Sequence, residues 1–586
     1  MLPSSVDVAI IGAGPSGSTL ATLLRKYRPD TRVLVLEKEQ FPRHKIGESL
    51  LVDINRILVD MGALEQVEAA GFSRKYGATF IWGDEREPFH FLWKEGTSIV
   101  KDPSGYQLEY TWHVDRAEYD QILVDAARRE GAQVEHECAV SRLLFEGERV
   151  TGVEVRTADG ELREITAKYV VDCAGAHGPA HRKLSDRQLD ESLRNIAVHG
   201  YMRNVGSDPA LNGVDEKRTL ILTHEQGWVW VIPLRDGITS VGFVTAVDNY
   251  RKAGVTEPRA YYKQIIEQLR EYDQLFRAAD LVDYRGDGRL VHTVQEYSYQ
   301  CENIEGPGWV TCGNAAGFVD AILSIGVYVA QTHAQFLACA LRSVLDNAVP
   351  EREALACYAT TIRENLGAFR AVAHLFYAFN GSMSEWWQGC SAQLRQSTLV
   401  PSTEDKGAFL AYFTGFSARS AIYEEAVNAF GGSFLLDVSA QLFGDQPLFS
   451  GGELSNEASL ARALVRRNPI LLLGAGISLR EFWLPDVRTG ELAPVTRMDI
   501  AHAKLETSPE LARRLYLPAE LARVPELFDG RRTLAQVSEQ LINQGYAGPR
   551  GSARLEVTKL AYRLACMGAV TEVVPGSARI ADHGVA

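Results

Sequence analysis

Three short stretches of the chain carry residue types that can do chemistry. In VDVAIIGAGPSGSTLATLLRK, Gly12, Gly14 and Gly17 form a G-x-G-x-x-G string. Gly12 permits a tight turn, Gly14 lets the backbone approach a pyrophosphate, and Gly17 lets the following helix pack on the preceding strand. The helix N-terminus then offers N–H groups to the phosphate charge. The second stretch, TRVLVLEK, ends in Glu37, 20 residues past Gly17. A carboxylate there suits a ribose 2′-hydroxyl and disfavours a 2′-phosphate. The third is GWVWVIPL, Gly227 to Leu234. Strand alternation sends Trp228 and Trp230 to one face and Val229 and Val231 to the other, and Pro233 has no N–H to extend a ladder. Two adjacent indoles either pack a core or wall a site.

These residues need particular elements beneath them. Val6 to Ile11 reads as a short buried strand, and Leu20, Leu23 and Leu24 recur at helical spacing. With the second strand this is a βαβ nucleotide unit. FPRHKIGESLL (41–51) follows at once, and TWHVDRAEYDQILVDAARREG (111–131) is a strand entering a helix with Arg116 at the turn. GWVTCGNAAGFVDAILSIGV (308–327) is a buried strand, a Gly313-Asn314 turn and a glycine-punctuated helix start. This order resembles the FAD-binding monooxygenase class, so FAD rather than NAD is expected. The resemblance implies an α/β fold. It has a Rossmann-like FAD-binding domain of the glutathione-reductase/hydroxybenzoate-hydroxylase type and a mixed β-sheet substrate domain.

GxGxxG at 12–17, GESLL at 47–51 and the Trp228-x-Trp230-x-Ile232-Pro233 string together resemble the flavin-dependent halogenases, in the subgroup acting on phenolic, pyrrolic or carrier-bound substrates. The resemblance runs from about residue 6 to about 375. It implies that reduced FAD and oxygen oxidise bound chloride or bromide, and that hypohalous acid travels through the protein to a lysine beside the substrate. It implies that Trp228 and Trp230 crowd the space between flavin and substrate. In GFSRKYGATFIWG the aligned lysine is Lys75. Hydrogen-bond donation to hypohalous acid, or haloamine formation, is its implied role. The haloamine needs a neutral amine, so burial is expected to lower its pKa.

The implied flavin contacts are Gly12, Gly14, Pro15, Ser16 and Gly17, then Glu37 and Lys38, then Arg43, Ile46, Gly47, Glu48 and Ser49, with Arg116, Gly313, Asn314, Gly326 and Val327. The implied halide donors are the N–H groups of Ser324, Ile325 and Gly326, with Ser324 among the catalytic residues. The family's F-x-x-P-x-x-S-x-G falls on Phe318, Ala321, Ser324 and Gly326, so Ala321 replaces the proline. Asn314 replaces the usual aspartate, and Leu323 stands where tryptophan halogenases place a glutamate, which argues against free tryptophan as substrate.

Composition bounds the rest. The 586 residues carry a formal net charge of −14, a poor match to a nucleic-acid backbone. Eight scattered cysteines without a C-x-x-C pair fit reduced thiols, and MLPSSVDVAIIG lacks a basic leader region, so a cytoplasmic setting is expected. The apolar run PILLLGAGISL is too short to span a bilayer. His113 and His292 read as satisfied structural histidines, with no metal triad, and Glu296 reads as an edge-strand surface residue. The expected division is a core at about 1–375, with FAD parts near 1–80, 105–185 and 285–375 and a substrate sheet near 80–105 and 190–285. A helical C-terminal region (376–516) and a winged-helix-like tail (517–586) follow. Tyr377, Phe379, Trp386 and Trp387 are either core or pocket lining, and SGGELSNEAS (450–459) is a plausible boundary. No second nucleotide motif appears, so a separate NAD(P)H–flavin reductase is the expected partner. A flavin hydroxylase or reductase on the same fold needs neither WxWxIP nor Lys75. A flavin-binding regulator needs a basic recognition helix, and ARLEVTKLAYRLACMG has few basic residues.

Overall fold

The computed structural model describes residues 2–81, 88–93, 109–207, 211, 217–255, 257–269, 272–295, 298–378, 470–474, 477–500, 513–518, 521–546 and parts of 553–574. The first of its two large sheets begins with strand β1 (Ser5–Ile11), whose burial on both faces suits a parallel strand with helices on either side. Helix α1 (Pro15–Tyr27) leads to β2 (Val33–Leu36), parallel to β1.

The chain then leaves for the second sheet through β3 (Ser73–Lys75), β4 (Gly77–Ile81) and β5 (Pro88–Leu92). It returns through β6 (Thr111–His113), which pairs with β3, and through α2 (Arg116–Arg129). Strands β7 (Gln133–Glu135), β8 (Ala139–Glu146), β9 (Arg149–Arg156) and β10 (Leu162–Asp172) complete this pass. Val8, Ala9, Ile10 and Ile11 lie beside Tyr169, Val170, Val171 and Asp172 of β10 in parallel register.

The second sheet is built from β11 (Asn195–Arg203), β12 (Arg218–His224), β13 (Gly227–Pro233), β14 (Thr239–Ala246), β15 (Asp280–Val282) and β16 (Val291–Val294), together with β4 and β5. Its order is β15-β11-β14-β13-β12-β4-β5, with β16 also on β11. It therefore begins at Gly77, close to the expected boundary. Helix α3 (Pro258–Gln268) contributes Tyr261, Tyr262 and Ile265 to a core shared with Val229 and Val231. Trp228 and Trp230 belong instead to the main core, shared with α1 and the first sheet. The alternation read from GWVWVIPL thus sorts the two residue types into two different cores.

The chain re-enters the first sheet at β17 (Trp309–Thr311), parallel to β10. Two long helices follow, α4 (Gly326–Leu345) and α5 (Glu351–Ala378).

Beyond residue 469 the expectation of a helical region does not hold. Residues 470–518 contain strands β18 (Ile470–Leu473), β19 (Ile477–Asp486), β20 (Glu491–Ile500) and β21 (Arg513–Pro518). The register is direct: Phe482 and Leu484 of β19 oppose Val495 and Ala493 of β20. Nor does the tail start at 517, which lies inside β21. Its strands β22 (Asp529–Thr533) and β23 (Val570–Val574) flank β18, so this unit draws on residue 470 onward. Helix α6 (Leu534–Asn543) opens with a full capping box between Thr533 and Gln536. Distant partners account for β18 alone, which is completed by β22 and β23; β19, β20 and β21 pair with their neighbours in sequence. Glu296, Phe379, Trp386, Trp387 and the 450–459 segment lie outside the described residues.

Candidate functional site

The glycine turn between β1 and α1 is shaped as its spacing requires. Gly12 has φ +98°, and a Cβ on it would sit 2.9 Å from the Cys173 carbonyl oxygen. A Cβ on Gly17 would fall 1.9 Å from the Gly12 oxygen. Gly14 is different: a Cβ there would meet only the Arg43 guanidinium, at 3.5 Å. Pro15 opens α1, and no side chain caps its N-terminus. A helix start with open N–H groups, beside an arginine and reachable at a glycine, fits a pyrophosphate.

Glu37 is buried, with Oε2 accepting from Ala13 N (2.8 Å) and Oε1 from Glu39 N (2.9 Å). It buttresses the glycine turn, and each oxygen keeps a lone pair for a ribose hydroxyl. Lys38, beyond it, is exposed. Gly313 closes the site from the other side: a Cβ on it would lie 2.1 Å from the Ser16 hydroxyl. The Asn314 carbonyl accepts from the Tyr299 hydroxyl. These residues fit FAD.

Arg43 and Arg116 share one buried carboxylate, Asp120. Arg43 Nη1 reaches it at 2.9 Å, and Arg116 makes a two-pronged contact at 2.9 and 3.0 Å. Arg116 also donates to the Ile46 carbonyl (2.6 Å) and so holds the 46–49 segment. There Gly47 takes φ +97°. Glu48 is buried, donated to by the Tyr201 hydroxyl (3.0 Å) and the Gly47 N–H (3.1 Å). Burial pushes its carboxyl above the usual range.

The GESLL segment runs on against β6: Val114 N bonds Glu48 O (2.7 Å) and Leu50 N bonds Trp112 O (3.2 Å). This places the Leu50 carbonyl 2.8 Å from Lys75 Nζ. Lys75 is 2% exposed, and Trp93 lies beside its amine and donates its indole N–H to the Lys75 carbonyl (3.1 Å). Burial alone pushes the amine down to about 7. His113, across the β3–β6 pair, is buried and bonds Thr219 Oγ1 through Nε2 (2.9 Å), and Thr219 in turn meets Ser49 Oγ (2.8 Å). Burial first, and the nearby Lys75 amine second, hold His113 well below its ordinary value. Read from the sequence as structural only, it is a neighbour of Lys75.

Trp228 and Trp230 are 2% and 6% exposed, with ring centroids 6.0 Å apart. Trp230 opposes Gly242, where any Cβ would lie 2.2 Å from the indole, and its Nε1 donates to Ser240 Oγ (3.2 Å). Trp228 Nε1 donates to the Tyr377 hydroxyl (2.9 Å). Lys75 precedes β4, and the row Phe80–Ile221–Trp230 crosses from β4 through β12 to β13. The lysine, in the separate β3–β6 pair, thus lies two residues before a strand of the sheet that presents the indoles.

The late loop makes a short turn at Ala321–Leu323, and α4 starts only at Gly326. Asp320 caps the turn by accepting from Ile322 N (2.9 Å), and Ser324 is left-handed, with φ 54°. This local geometry stands where the family's proline would stiffen the loop. The Ser324 N–H is spent on the Ala321 carbonyl (3.0 Å), which corrects the expectation of three halide donors. Ile325 and Gly326 remain, and a Cβ on Gly326 would meet nothing within 4 Å. Val327 is buried in the first turn of α4.

Comparisons with known proteins give the chain's family. A family model described as tryptophan halogenase matches residues 7–102 and 96–402. The tryptophan 2-halogenase of Chondromyces crocatus is 31% identical over 384 residues, covering 65% of this chain and 69% of that protein. The 1H-pyrrole-2-carbonyl-(peptidyl-carrier protein) chlorinase of Pseudomonas fluorescens is 29% identical over 387 residues, covering 64% and 84%. Among solved structures, the myxobacterial FAD-dependent halogenase CndH matches with TM-score 0.60 at 30% identity, over 71% of this chain and 91% of that one. The flavin-dependent halogenase CmlS matches with TM-score 0.68 at 25% identity, over 98% of this chain and 97% of that one. The chain belongs to the tryptophan halogenase family and is an FAD-dependent halogenase.

Proposed function

We propose that the chain places chloride or bromide on a phenolic, pyrrolic or carrier-tethered aromatic small molecule, and that Lys75 delivers the halogen. The observation that carries this reading is the Lys75 amine. It is buried, it has one hydrogen bond to a backbone carbonyl, and among the described residues no carboxylate pairs with it. A buried lysine without a counter-charge is a burden on folding, and function is the reason to retain one.

Reduced FAD with oxygen supplies the oxidising equivalent that turns halide into hypohalous acid. The N–H groups of Ile325 and Gly326 hold the halide. Trp228 and Trp230 exclude water and keep the substrate at a distance, so that a small oxidant crosses rather than the substrate. The neutral Lys75 amine attacks the halogen of hypohalous acid; an N–X bond forms, and water leaves. The N–X bond then breaks as the aromatic carbon takes the halogen, and the proton lost from that carbon returns to the amine. The chain has no second glycine string for a nicotinamide cofactor, so a separate NAD(P)H–flavin reductase supplies reduced FAD. The setting is cytoplasmic and the partner is neither nucleic acid nor membrane; among the described residues no helix is long and apolar enough to cross a bilayer.

The test is incubation with a flavin reductase, NADH, oxygen and bromide against a panel of phenols and pyrroles, free and carrier-bound, read by mass spectrometry. Brominated product is expected. Hydroxylated product without bromine would replace this reading with a hydroxylase.

A further inference from the structure

Trp228 is held by more than packing. The Tyr377 hydroxyl that accepts its indole N–H also accepts from Asn195 Nδ2 (3.1 Å) and donates to Asp320 Oδ1 (3.1 Å). Asn195 Nδ2 also reaches Asp320 Oδ2 (3.0 Å), and Asp320 Oδ1 caps the turn at Ile322 N (2.9 Å). A phenol hydroxyl with two donors and one acceptor uses its full capacity. It joins four elements at one point: the indole strand β13, the first residue of β11, the end of α5, and the loop that leads to α4.

Core packing requires none of this, since phenylalanine fills nearly the same volume. What the hydroxyl adds is registration. Asp320 lies four residues before Ser324, and the left-handed Ser324 spends its own N–H inside the turn. The positions of the Ile325 and Gly326 N–H groups therefore follow from where Asp320 is anchored. Three hydrogen-bond donors cover the oxygens of Asp320, a buried carboxylate close to a loop that is to accept an anion.

We propose that Tyr377 is a positioning residue for the halide. Its hydroxyl, with Asn195 and Asp320, fixes the 320–326 loop against Trp228, so that the halide donors and the indole wall keep one separation. Tyr377 acts through the loop and touches none of the reacting atoms. The proposal rests on the reading of Ile325 and Gly326 as halide donors.

The experiment uses the full chain loaded with FAD and compares it with Tyr377→Phe and Asn195→Ala. Bromide affinity is read from the flavin absorbance of the oxidised protein. Bromide KM and kcat are read from product formation, and flavin content and melting temperature are recorded alongside. In Tyr377→Phe, flavin content is unchanged and bromide Kd and KM rise about tenfold, the worth of one positioned hydrogen bond. The value of kcat at saturating bromide stays within about twofold, because a positioned donor costs binding rather than chemistry. Asn195→Ala moves Kd and KM in the same direction. Unchanged bromide Kd and KM in folded, flavin-loaded variants would overturn the proposal, as would a fall in kcat alone. Loss of folding in both variants would assign the network to stability and overturn it equally. A wild-type protein that binds no bromide and halogenates nothing would instead remove the halogenase reading.

Discussion

Lys75 pairs a functional demand with a cost to folding. Its amine falls from an ordinary 10.5 to about 7 through burial. Between those values the unfolded chain binds the extra proton, so stability rises with pH across pH 7 to 10.5. Below about pH 7 both states are protonated and the full penalty applies, on the order of 5 kcal/mol at about 1.36 kcal/mol per pH unit. Lys75→Met is therefore expected to raise thermal stability, by roughly 1–3 kcal/mol at pH 6 after the lost hydrogen bond to Leu50 is counted, and by less at pH 9. The same variant should abolish product halogenation while flavin content and oxygen consumption persist. Product formed per flavin oxidised should fall on the acid side of about pH 7, where the amine is charged. Loss of FAD in the variant would make Lys75 a flavin ligand instead. The indoles carry the other prediction at this scale. Trp228→Phe or Trp230→Phe opens a gap in a packed wall, so hypohalous acid leaks before it meets Lys75. Flavin oxidation should continue, with more peroxide released and less product halogenated. Full coupling in both variants would make the pair ordinary core.

Elements place these residues through close approach. Strand β13 can lay Trp230 flat only because Gly242 opposes it, and α1 can start so near β1 only because residue 17 has no side chain. A Cβ there would lie 1.9 Å from a backbone oxygen, which nothing flexible can relieve. Gly17→Ala is expected to lose FAD and lower the melting temperature together, read from the flavin spectrum and a thermal melt. A Gly17→Ala variant that retains flavin would overturn the close-packing account. The glycine turn, the acid at Glu37 and the alternation of GWVWVIPL were legible because each is a local pattern with one physical solution. The halide loop was legible in position but not in geometry. That Ser324 is left-handed and spends its own N–H is decided by the Asp320 cap and the short turn, not by residue types in a row.

At the scale of the molecule, two sheets meet across the main core and the C-terminal strands dock on the long helices. Leu492 N of β20 bonds Ser343 Oγ of α4 (2.9 Å), and Arg497, 4% exposed, bridges Glu364 of α5 (2.6 Å) and Asp499 (2.8 Å). Both carboxylates are partly exposed and Asp499 keeps Arg480 (3.3 Å), so Arg497→Met should destabilise by about 1–2 kcal/mol. If α5 depends on that docking, bromide affinity should weaken as well, since Tyr377 ends the same helix. A melting temperature equal to wild type would show that the contact carries no weight. Sequence by itself determined the nucleotide unit and the indole face, because strand and turn periodicities act over a few residues and the motif residues lie within them; Lys75 was singled out only by the family resemblance of GFSRKYGATFIWG. Sequence did not determine that Ile470–Leu473 form the strand β18, since its pairing partners β22 and β23 are supplied from more than fifty residues away. Nor could it show that Tyr377, Asn195 and Asp320 converge on Trp228. Hydrogen bonds spanning 57 to 182 residues exist only once the sheets and helices have closed around a common core.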